Sequence, residues 1–333
     1  MRRRHVLRLL DARTVRRVLP VPDLTSAIGT LFARQSGDSD EFPRSAVGTG
    51  GGDLLLMPAV YGSTLAVKLI TLFDGAPALG LPTVQGLVAV FDARTGAPTA
   101  VVDAQALTEI RTAAVTSLAT DVLARKDAAT LAVIGAGAQA RSHLEGLAPL
   151  RAWREVRLHS RDAGRAHRLA AWARTSGPGL DVTVCSRAED AVRDADVICT
   201  VTSSPDPLFP DEAVAKEGVH ISAVGAYGSR RRELPSGLVA RSTLFVESGA
   251  AVLREAGDVA IPIAEGVLPP APALVELSEL LSGRHPGRRS ARETTLFKSV
   301  GIPVEDAFTC DLLSARAAEQ GAGTDIAFSA PAS

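Results

Sequence analysis

The stretch LAVIGAGAQA, residues 131–140, decides the fold of this chain. Leu131 to Ile134 are apolar and predict a short buried strand, and Gly135 to Ala140 follow in the pattern G-x-G-x-x-A. A strand that breaks into glycines and then opens a helix directs backbone N–H groups and the positive end of a helix dipole at one point, which suits a pyrophosphate. Glycine-rich stretches are common, so the surrounding sequence has to decide whether this one binds a dinucleotide.

Strand-like runs recur after Asp127 and alternate with helical or turn segments. The runs are Leu131–Ile134, Val156–His159, Val182–Cys185, Val197–Thr202, His220–Val224 and Thr243–Val246. This alternation predicts a doubly wound α/β domain with a parallel sheet. It supplies the context that the glycine motif needs.

The end of the second of these strands bears on the choice of cofactor. Ser160 and Arg161 stand where an acidic residue holds the ribose 2′-hydroxyl in NAD-binding proteins, and Arg165 follows one helical turn later. Serine and arginine suit a 2′-phosphate, so the sequence favours NADP(H), with NAD(H) as the alternative. The alternative is that Arg161 and Arg165 are solvated surface residues that bind no ligand.

Lys68 is the only charged residue in TLAVKLITLF, residues 64–73. This run is apolar on both alternating faces and predicts a buried strand. A lysine there either reaches solvent along its stem or meets a partner, because an isolated buried ammonium is too costly. Desolvation would also lower its pKa toward the range that is useful for proton transfer.

Arg111 lies on a predicted alanine-rich helix that runs from Asp103 to about Arg125. It shares a face with Leu107, Ala114, Val115 and Leu118, so it points toward the core. Because arginine stays charged in proteins, it needs a carboxylate or phosphate partner from the protein or from a ligand. A structural salt bridge is one explanation, but no other position on that face offers a carboxylate.

The first third of the chain predicts a smaller set of elements around these residues. They are a strand at Val6–Leu10, a helix over Asp11–Arg34, a hairpin around the glycine-rich turn Gly48–Gly52, and strands at Leu87–Phe91 and Ala100–Val102 joined by a turn.

The composition of the 333 residues is that of a globular protein, with 46% hydrophobic and 22% charged residues and a formal net charge of −1. It gives no reason to expect a nucleic-acid or membrane partner. Three widely spaced cysteines argue against a disulfide framework and a structural zinc site, so we expect no metal and a reducing cytoplasm. Arg8 and Asp11 interrupt the apolar stretch after Arg2, Arg3 and Arg4, so we expect no signal peptide.

Five segments in the same order resemble the ornithine cyclodeaminase/mu-crystallin family. They are LTEIRTAA (107–114), LAVIGAGAQAR (131–141), ISAVGAYGSRRREL (221–234), EAGDVAIPIAEG (255–266) and TLFKSVGIPVEDA (295–307). The resemblance implies a Rossmann NAD(P)-binding domain, residues 121–302, inserted into a discontinuous α+β domain for substrate binding and dimerisation, residues 1–120 plus 303–333. It also implies a homodimer, and a last helix from Pro303 to about Gln320.

The resemblance further implies the residues of the site. Arg44, Lys68 and Arg111 match the basic residues that hold and activate a 2-amino or 2-imino acid, which gives them catalytic and substrate-binding roles. Further positions facing the substrate are Met57, Tyr227, Glu255 and Ser299. Positions lining the cofactor are Thr83, Thr112, Gly135, Gly137, Ala138, Gln139, Ser160, Arg161, Arg165, Thr200, Thr202, Ser203 and Val224. For the threonines, ordinary strand and capping roles are the alternative.

One departure from the family pattern bears on the reaction. Cyclodeaminases of the family carry an aspartate two residues after the glycine of the A-V-G segment, where this chain has Tyr227. Tyrosine, with a pKa near 10, cannot supply a carboxylate at neutral pH. This counts against ornithine or lysine cyclisation and favours the imine-reducing branch. The P-x-x-R-E-L turn usual in reductases is also altered, to residues 228–234.

We therefore expect an NAD(P)H-dependent oxidoreductase that reduces the C=N bond of a small 2-imino acid, either cyclic or formed from a 2-oxo acid and an amine. In this mechanism Arg44 and Arg111 bind the substrate carboxylate, and Lys68 protonates or orients the imine nitrogen while hydride is delivered to carbon. Three alternatives remain. They are a cyclodeaminase-type lyase with bound NAD, an N-substituted amino-acid dehydrogenase of a biosynthetic pathway, and a non-catalytic protein that binds NADP(H) and a small ligand.

Overall fold

The computed structural model describes residues 5–34 and 42–329. Arg2, Arg3 and Arg4 lie outside the described residues. The chain forms two compact units, of which the first comprises Met1–Leu24, Asp38–Arg111 and Ile302–Ser333 and the second Thr25–Gly37 and Thr112–Gly301. The predicted domain boundaries near residues 121 and 303 stay predictions.

Strands and helices alternate along most of the chain. The strands are β1 (His5–Leu10), β2 (Ser45–Gly48), β3 (Asp53–Tyr61), β4 (Thr64–Leu72), β5 (Val84–Asp92), β6 (Pro98–Asp103), β7 (Thr130–Ile134), β8 (Glu155–His159), β9 (Val182–Val184), β10 (Val197–Thr200), β11 (His220–Ala223), β12 (Thr243–Val246), β13 (Leu274–Glu276), β14 (Thr295–Lys298) and β15 (Thr324–Ser329). The helices are α1 (Ala12–Val18), α2 (Val21–Arg34), α3 (Ala104–Leu123), α4 (Ala138–Leu147), α5 (Ala163–Thr175), α6 (Ala188–Val192), α7 (Ser236–Ala240), α8 (Gly249–Glu255), α9 (Gly257–Ala264), α10 (Leu277–Leu281) and α11 (Pro303–Glu319).

The first unit is built on a seven-stranded sheet in the order β15-β1-β6-β5-β4-β3-β2. Its strands pair antiparallel except β1 and β6. Helix α11 packs on β3 and β4 and covers the face that holds Met57, Lys68 and Ile70. The hairpin and strand pairings predicted for this part of the chain are confirmed.

Two expectations for the first unit need correction. The helix predicted over Asp11–Arg34 is two helices, α1 and α2, because Pro20 has no N–H to continue α1. The carbonyl oxygen of Pro20 instead accepts from the N–H of Leu24 at 3.1 Å and begins α2. The sequence also gave no sign of β15, which pairs antiparallel with β1 and places Asp325 2.7 Å from Arg8.

The second unit is a Rossmann-type sheet of eight parallel strands in the order β13-β12-β14-β11-β10-β7-β8-β9. Apolar side chains of β7, β10, β11 and β14 fill two core clusters on the faces of this sheet. The predicted α/β class is confirmed. The strands β13 and β14 were not predicted, since three or four residues carry too little pattern to separate a strand from a turn.

No helix among residues 5–34 and 42–329 is both long and apolar enough to cross a membrane.

Candidate active site

Lys68 is buried in the middle of β4, with 1% of its surface exposed. It lies directly opposite Met57 of β3 in the antiparallel register. Its Nζ atom is 2.7 Å from Oδ2 of Asp306, which belongs to the first turn of α11. The lysine therefore has a protein partner and does not reach solvent along its stem.

Arg111 is also buried, with 5% of its surface exposed. Its Nη1 atom donates to Oε2 of Glu305 at 3.1 Å, and its Nε atom is 3.3 Å from Oδ1 of Asp306. Asp306 thus bridges the lysine and the arginine. No carboxylate was found on the helix face that carries Arg111. Its partners come instead from α11, where Glu305 lies 194 positions further along the chain.

The electrostatics of this basic cluster favour an anionic ligand. Burial lowers the pKa of Lys68 to about 8, Asp306 opposes that shift, and the charges of Arg111 and Arg44 reinforce it. Arg44 directly precedes β2, and β2 pairs with β3 beside Met57. Lys68 and Arg111 contact the carboxylates of Glu305 and Asp306, and the charge of Arg44 also acts on Lys68.

Thr83 is the remaining predicted residue of the first unit. It stands immediately before β5, and its carbonyl oxygen accepts from the N–H of Phe73 at 3.0 Å. Its side chain is half-buried.

In the second unit, a cleft of about 660 Å³ opens at the carboxyl ends of β7, β8 and β10. The cleft brings together seven of the predicted cofactor residues. They are Gly135, Gly137, Ser160, Arg161, Arg165, Thr202 and Ser203. The position is the one where open parallel sheets bind dinucleotides.

The backbone of the glycine turn fits a pyrophosphate. Gly135 has a φ of 127°, and a Cβ atom on it would lie 2.8 Å from the carbonyl oxygen of Val201, so only glycine suits this position. Gly137 caps α4, and no atom lies within 4 Å of where its Cβ would be. Ala138 and Gln139 open α4, whose first N–H groups have no helical acceptor. The turn thus leaves room for an anion at a helix N-terminus.

The far end of the cleft carries charges of both signs. Arg161 and Arg165 are exposed, and Nε of Arg165 is 3.3 Å from Oδ2 of Asp162. Asp162 caps α5 by accepting from the N–H of Arg165 at 2.9 Å. Asp162 received no role from the sequence alone, and its carboxylate partly neutralises Arg165.

The other predicted cofactor residues lie outside the lining of this cleft. Thr200 is the last residue of β10 and is fully buried, Val224 follows β11, and Thr112 is buried in α3. The hydroxyl groups of Thr200 and Thr202 both donate to the carboxylate of Glu233, at 3.0 and 2.8 Å. Glu233 was not predicted to have a role.

The three predicted substrate contacts of the second unit differ in exposure. Tyr227 is exposed, and Glu255, the last residue of α8, is paired with Arg254 at 2.7 Å. Ser299 follows β14, is buried, and donates its hydroxyl proton to Glu247 at 2.5 Å. The structure brings neither Tyr227 nor Ser299 into the cleft described above.

The acidic residues of the basic cluster and of the strand ends were not predicted from the sequence. Glu305 and Asp306 were within the segment TLFKSVGIPVEDA, and Glu233 was within the altered turn, but none received a role. The signal of Glu305 and Asp306 was an acidic pair at the start of a helix, which favours the helix dipole and is common without any function.

The parallel sheet, the glycine turn and its cleft define a protein of the dinucleotide-binding Rossmann class with a second α+β unit. The sequence profile of the ornithine cyclodeaminase/mu-crystallin family matches residues 6–321, and the chain belongs to this family. The family prediction is confirmed.

Two relatives and one solved structure are close to the chain. It is 36% identical over 277 residues to Delta(1)-pyrroline-2-carboxylate reductase of Bacillus cereus, covering 82% of this chain and 84% of that protein. It is 36% identical over 299 residues to ketimine reductase mu-crystallin of Mus musculus, covering 89% and 91%. The structure of Thermococcus litoralis Delta(1)-pyrroline-2-carboxylate reductase in complex with NADH and L-proline is 31% identical, has a TM-score of 0.90, and covers 96% of this chain and 100% of that one.

Proposed function

We propose that this protein is an NAD(P)H-dependent oxidoreductase that reduces the C=N bond of a small 2-imino acid to a 2-amino acid. The observation that carries the proposal is the buried cluster of Lys68, Arg111 and Asp306, which offers a proton donor beside a carboxylate-binding arginine. The names of the relatives in Bacillus cereus and Mus musculus, both imine reductases, support the same reaction.

The chain's own residues have separate tasks in this reaction. Arg44 and Arg111 bind the carboxylate of the imino acid, and guanidinium groups suit this because they donate two parallel hydrogen bonds. Lys68, protonated, donates a proton to the imine nitrogen and is later reprotonated from solvent. The bound nicotinamide cofactor supplies the hydride that the imine carbon accepts. One imine, one NAD(P)H and one proton therefore yield one amine and one NAD(P)⁺.

Asp306 keeps Lys68 in the state that this task requires. A lysine with a pKa of about 8 is mostly protonated at neutral pH and still gives up its proton readily. Without the carboxylate, burial would drive the ammonium to its neutral form.

For the cofactor we propose NADP(H) over NAD(H). Ser160 and Arg161 support a 2′-phosphate, whereas Asp162 in the same cleft favours a ribose hydroxyl. The related Thermococcus litoralis Delta(1)-pyrroline-2-carboxylate reductase was solved with NADH. In this chain the proposed preference for NADP(H) rests mainly on Arg161, because Asp162 partly neutralises Arg165.

The predicted contacts with the substrate stay part of the proposal. Met57 supports it best, because it lies directly opposite Lys68. Tyr227, Glu255 and Ser299 are assigned to the substrate on the family pattern alone. The neutral side chain of Tyr227 supports a reductase over a cyclodeaminase, which needs a carboxylate for the distal amine.

We also propose a homodimer in the cytoplasm, with the domain boundaries near residues 121 and 303. An apolar sheet face supports the dimer, since Val47, Val60 and Leu87 of the first unit are exposed. The three cysteines are free thiols, as a reducing compartment requires.

The test follows NADPH and NADH absorbance with cyclic 2-imino acids such as pyrroline-2-carboxylate, and with pyruvate or glyoxylate plus amines. Ornithine runs beside them with ammonia as the readout. We expect dinucleotide oxidation with at least one imine. Ammonia from ornithine and no oxidation with any imine would overturn the proposal.

Lys68→Ala tests the proposed acid. We expect the rate to fall at least about a hundredfold, the lower range for loss of a general acid. Lys126→Ala is the matched control, because that lysine is 77% exposed and pairs only with Asp121 in the described structure. Full turnover by Lys68→Ala would remove the assigned role.

A further inference from the structure

A buried carboxylate ties together the strand ends beside the cofactor cleft. Glu233 is fully buried and accepts five hydrogen bonds. Its donors are the Thr200 hydroxyl at 3.0 Å, the Thr202 N–H and hydroxyl at 2.7 and 2.8 Å, and the N–H groups of Gly225 and Ala226 at 2.6 and 3.2 Å. Burial raises the pKa of the Glu233 carboxyl, and the charge of Lys298 and the hydrogen bonds from Thr202 oppose that shift. The five donors occupy both carboxyl oxygens.

A second carboxylate and a lysine hold Glu233 in place. Asp258 accepts from the N–H groups of Glu233 and Leu234 at 2.8 and 3.0 Å, and it pairs with Lys298 at 2.9 Å. Lys298 ends β14 and donates to the carbonyl oxygen of Ala226 at 3.0 Å. The cluster therefore joins the carboxyl ends of three neighbouring strands, β10, β11 and β14.

These strand ends touch each other and form part of the cleft. A Cβ atom on Gly225 would lie 2.1 Å from the backbone nitrogen and oxygen of Thr202, so the two segments are in direct contact. Thr202, Ser203 and Ser204 line the cleft on this side. The position of this wall thus depends on the bonds that Glu233 accepts.

Glu233 also fixes the direction of hydrogen bonding by the two threonines. Each hydroxyl has one proton, and both protons are donated to Glu233. Thr202 Oγ1 additionally accepts from the N–H of Ser204 at 3.2 Å. Toward any other group these hydroxyls can only accept.

We propose that Glu233 is a positioning residue of the cofactor site, which sets the wall at the nicotinamide end and makes the Thr202 hydroxyl an acceptor for the cofactor's own donors. Ribose hydroxyls and the carboxamide amine are the donors of that half of the molecule. This inference rests on one part of the proposed function, namely that the cleft binds a nicotinamide dinucleotide. The adenylate half, beside Ser160 and Arg161, does not depend on Glu233.

The test compares Glu233→Gln with the unaltered protein in two binding titrations without any imine, one with NADPH and one with adenosine 2′,5′-bisphosphate. Glutamine keeps the shape, but its amide nitrogen cannot accept, so at least two of the five donors lose their partner. We expect NADPH affinity to fall about tenfold or more and bisphosphate affinity to stay within about twofold.

Asp196→Asn is the matched control. Asp196 is also buried and accepts from the N–H groups of Ala129 and Thr130 at 2.9 and 3.0 Å, but it stands at the amino end of the same strand, β10. We expect it to lower stability and to leave NADPH affinity unchanged. Equal losses of NADPH affinity in both variants would overturn the proposal, as would equal losses for NADPH and the bisphosphate in Glu233→Gln.

Thr202 provides a second route if Glu233→Gln does not fold. Thr202→Val should weaken NADPH binding, and Thr202→Ser, which keeps the hydroxyl, should restore it. Unchanged binding by Thr202→Val would refute the acceptor role. A protein that binds NADPH but reduces no imine contradicts the proposed function alone, whereas one that binds no dinucleotide contradicts both.

Discussion

The substitution Asp306→Asn separates the charge of the buried cluster from its shape. Asparagine keeps the volume and one acceptor oxygen, but it removes the anion 2.7 Å from Lys68 Nζ and 3.3 Å from Arg111 Nε. Glu305 remains as a partner for Arg111. The main consequence therefore falls on the protonation of Lys68.

The size of the effect follows from the pKa of Lys68, which is about 8 with Asp306 in place. An adjacent opposite charge typically shifts a pKa by about 1 to 3 units toward the charged form. Its loss should therefore lower the pKa of Lys68 to roughly 5 to 7. At a pH of about 7.5, the protonated fraction then falls about threefold to two-hundredfold.

The assay is the pH profile of imine reduction. In the unaltered protein, the rate should fall as the pH rises through about 8, because the proton donor is lost. In Asp306→Asn this alkaline limb should move to lower pH by about 1 to 3 units. NADPH affinity should not change, since the cleft residues belong to the second unit.

Asp311→Asn is the control for this experiment. Asp311 lies on the same helix and accepts from the hydroxyl of Thr64 on β4 at 2.6 Å. Its loss should lower stability and leave the alkaline limb near 8. An alkaline limb that stays near 8 in Asp306→Asn, or that moves equally in both variants, would refute the reasoning.

Three further predictions concern the second unit. Arg161→Ala should weaken NADPH binding about tenfold and leave NADH binding unchanged in paired titrations, because only NADPH carries the 2′-phosphate. Burial lowers the pKa of His143 to about 4 and of His220 to about 3. Protonation therefore favours the unfolded chain below about pH 6.5, and each histidine should remove about 2 kcal/mol of unfolding free energy between pH 7 and 5. In urea titrations, His220→Gln should abolish half of the combined loss of about 4 kcal/mol. Gly225→Ala should abolish NADPH binding because its Cβ would lie 2.1 Å from backbone, whereas Gly29→Ala, with 3.6 Å to its nearest neighbour, should be harmless.

The sequence predicted those parts of the fold that depend on local pattern. The glycine turn, the alternating strands of the second unit and the buried strand with Lys68 each leave a signal within about ten residues. Lys68 and Arg111 could each be singled out because their charge does not suit their apolar surroundings, but only the family resemblance joined them into one site. Short elements such as β13 carry no such signal.

The partners of these residues could not be predicted for a physical reason. Glu305 meets Arg111 across 194 positions of sequence, and that contact exists only because α11 returns to pack on β3 and β4. An acidic pair in a first helical turn is explained by the helix dipole alone. Nothing in the sequence distinguishes such a pair from one that faces a lysine.

Each unit contains a buried carboxylate that acts on residues predicted from the sequence to belong to the site. In the first unit it affects the protonation of a lysine, and in the second it sets the direction of hydrogen bonding by two threonines. Asp306 opposes the fall in the pKa of the buried Lys68 ammonium, and Glu233 accepts hydrogen bonds from the hydroxyl groups of two threonines. Both carboxylates are inaccessible to solvent, so neither state depends on rearranging water when a ligand arrives. Replacing either carboxylate by its amide should therefore change proton donation or cofactor binding before it changes the fold, which a packing role alone does not predict.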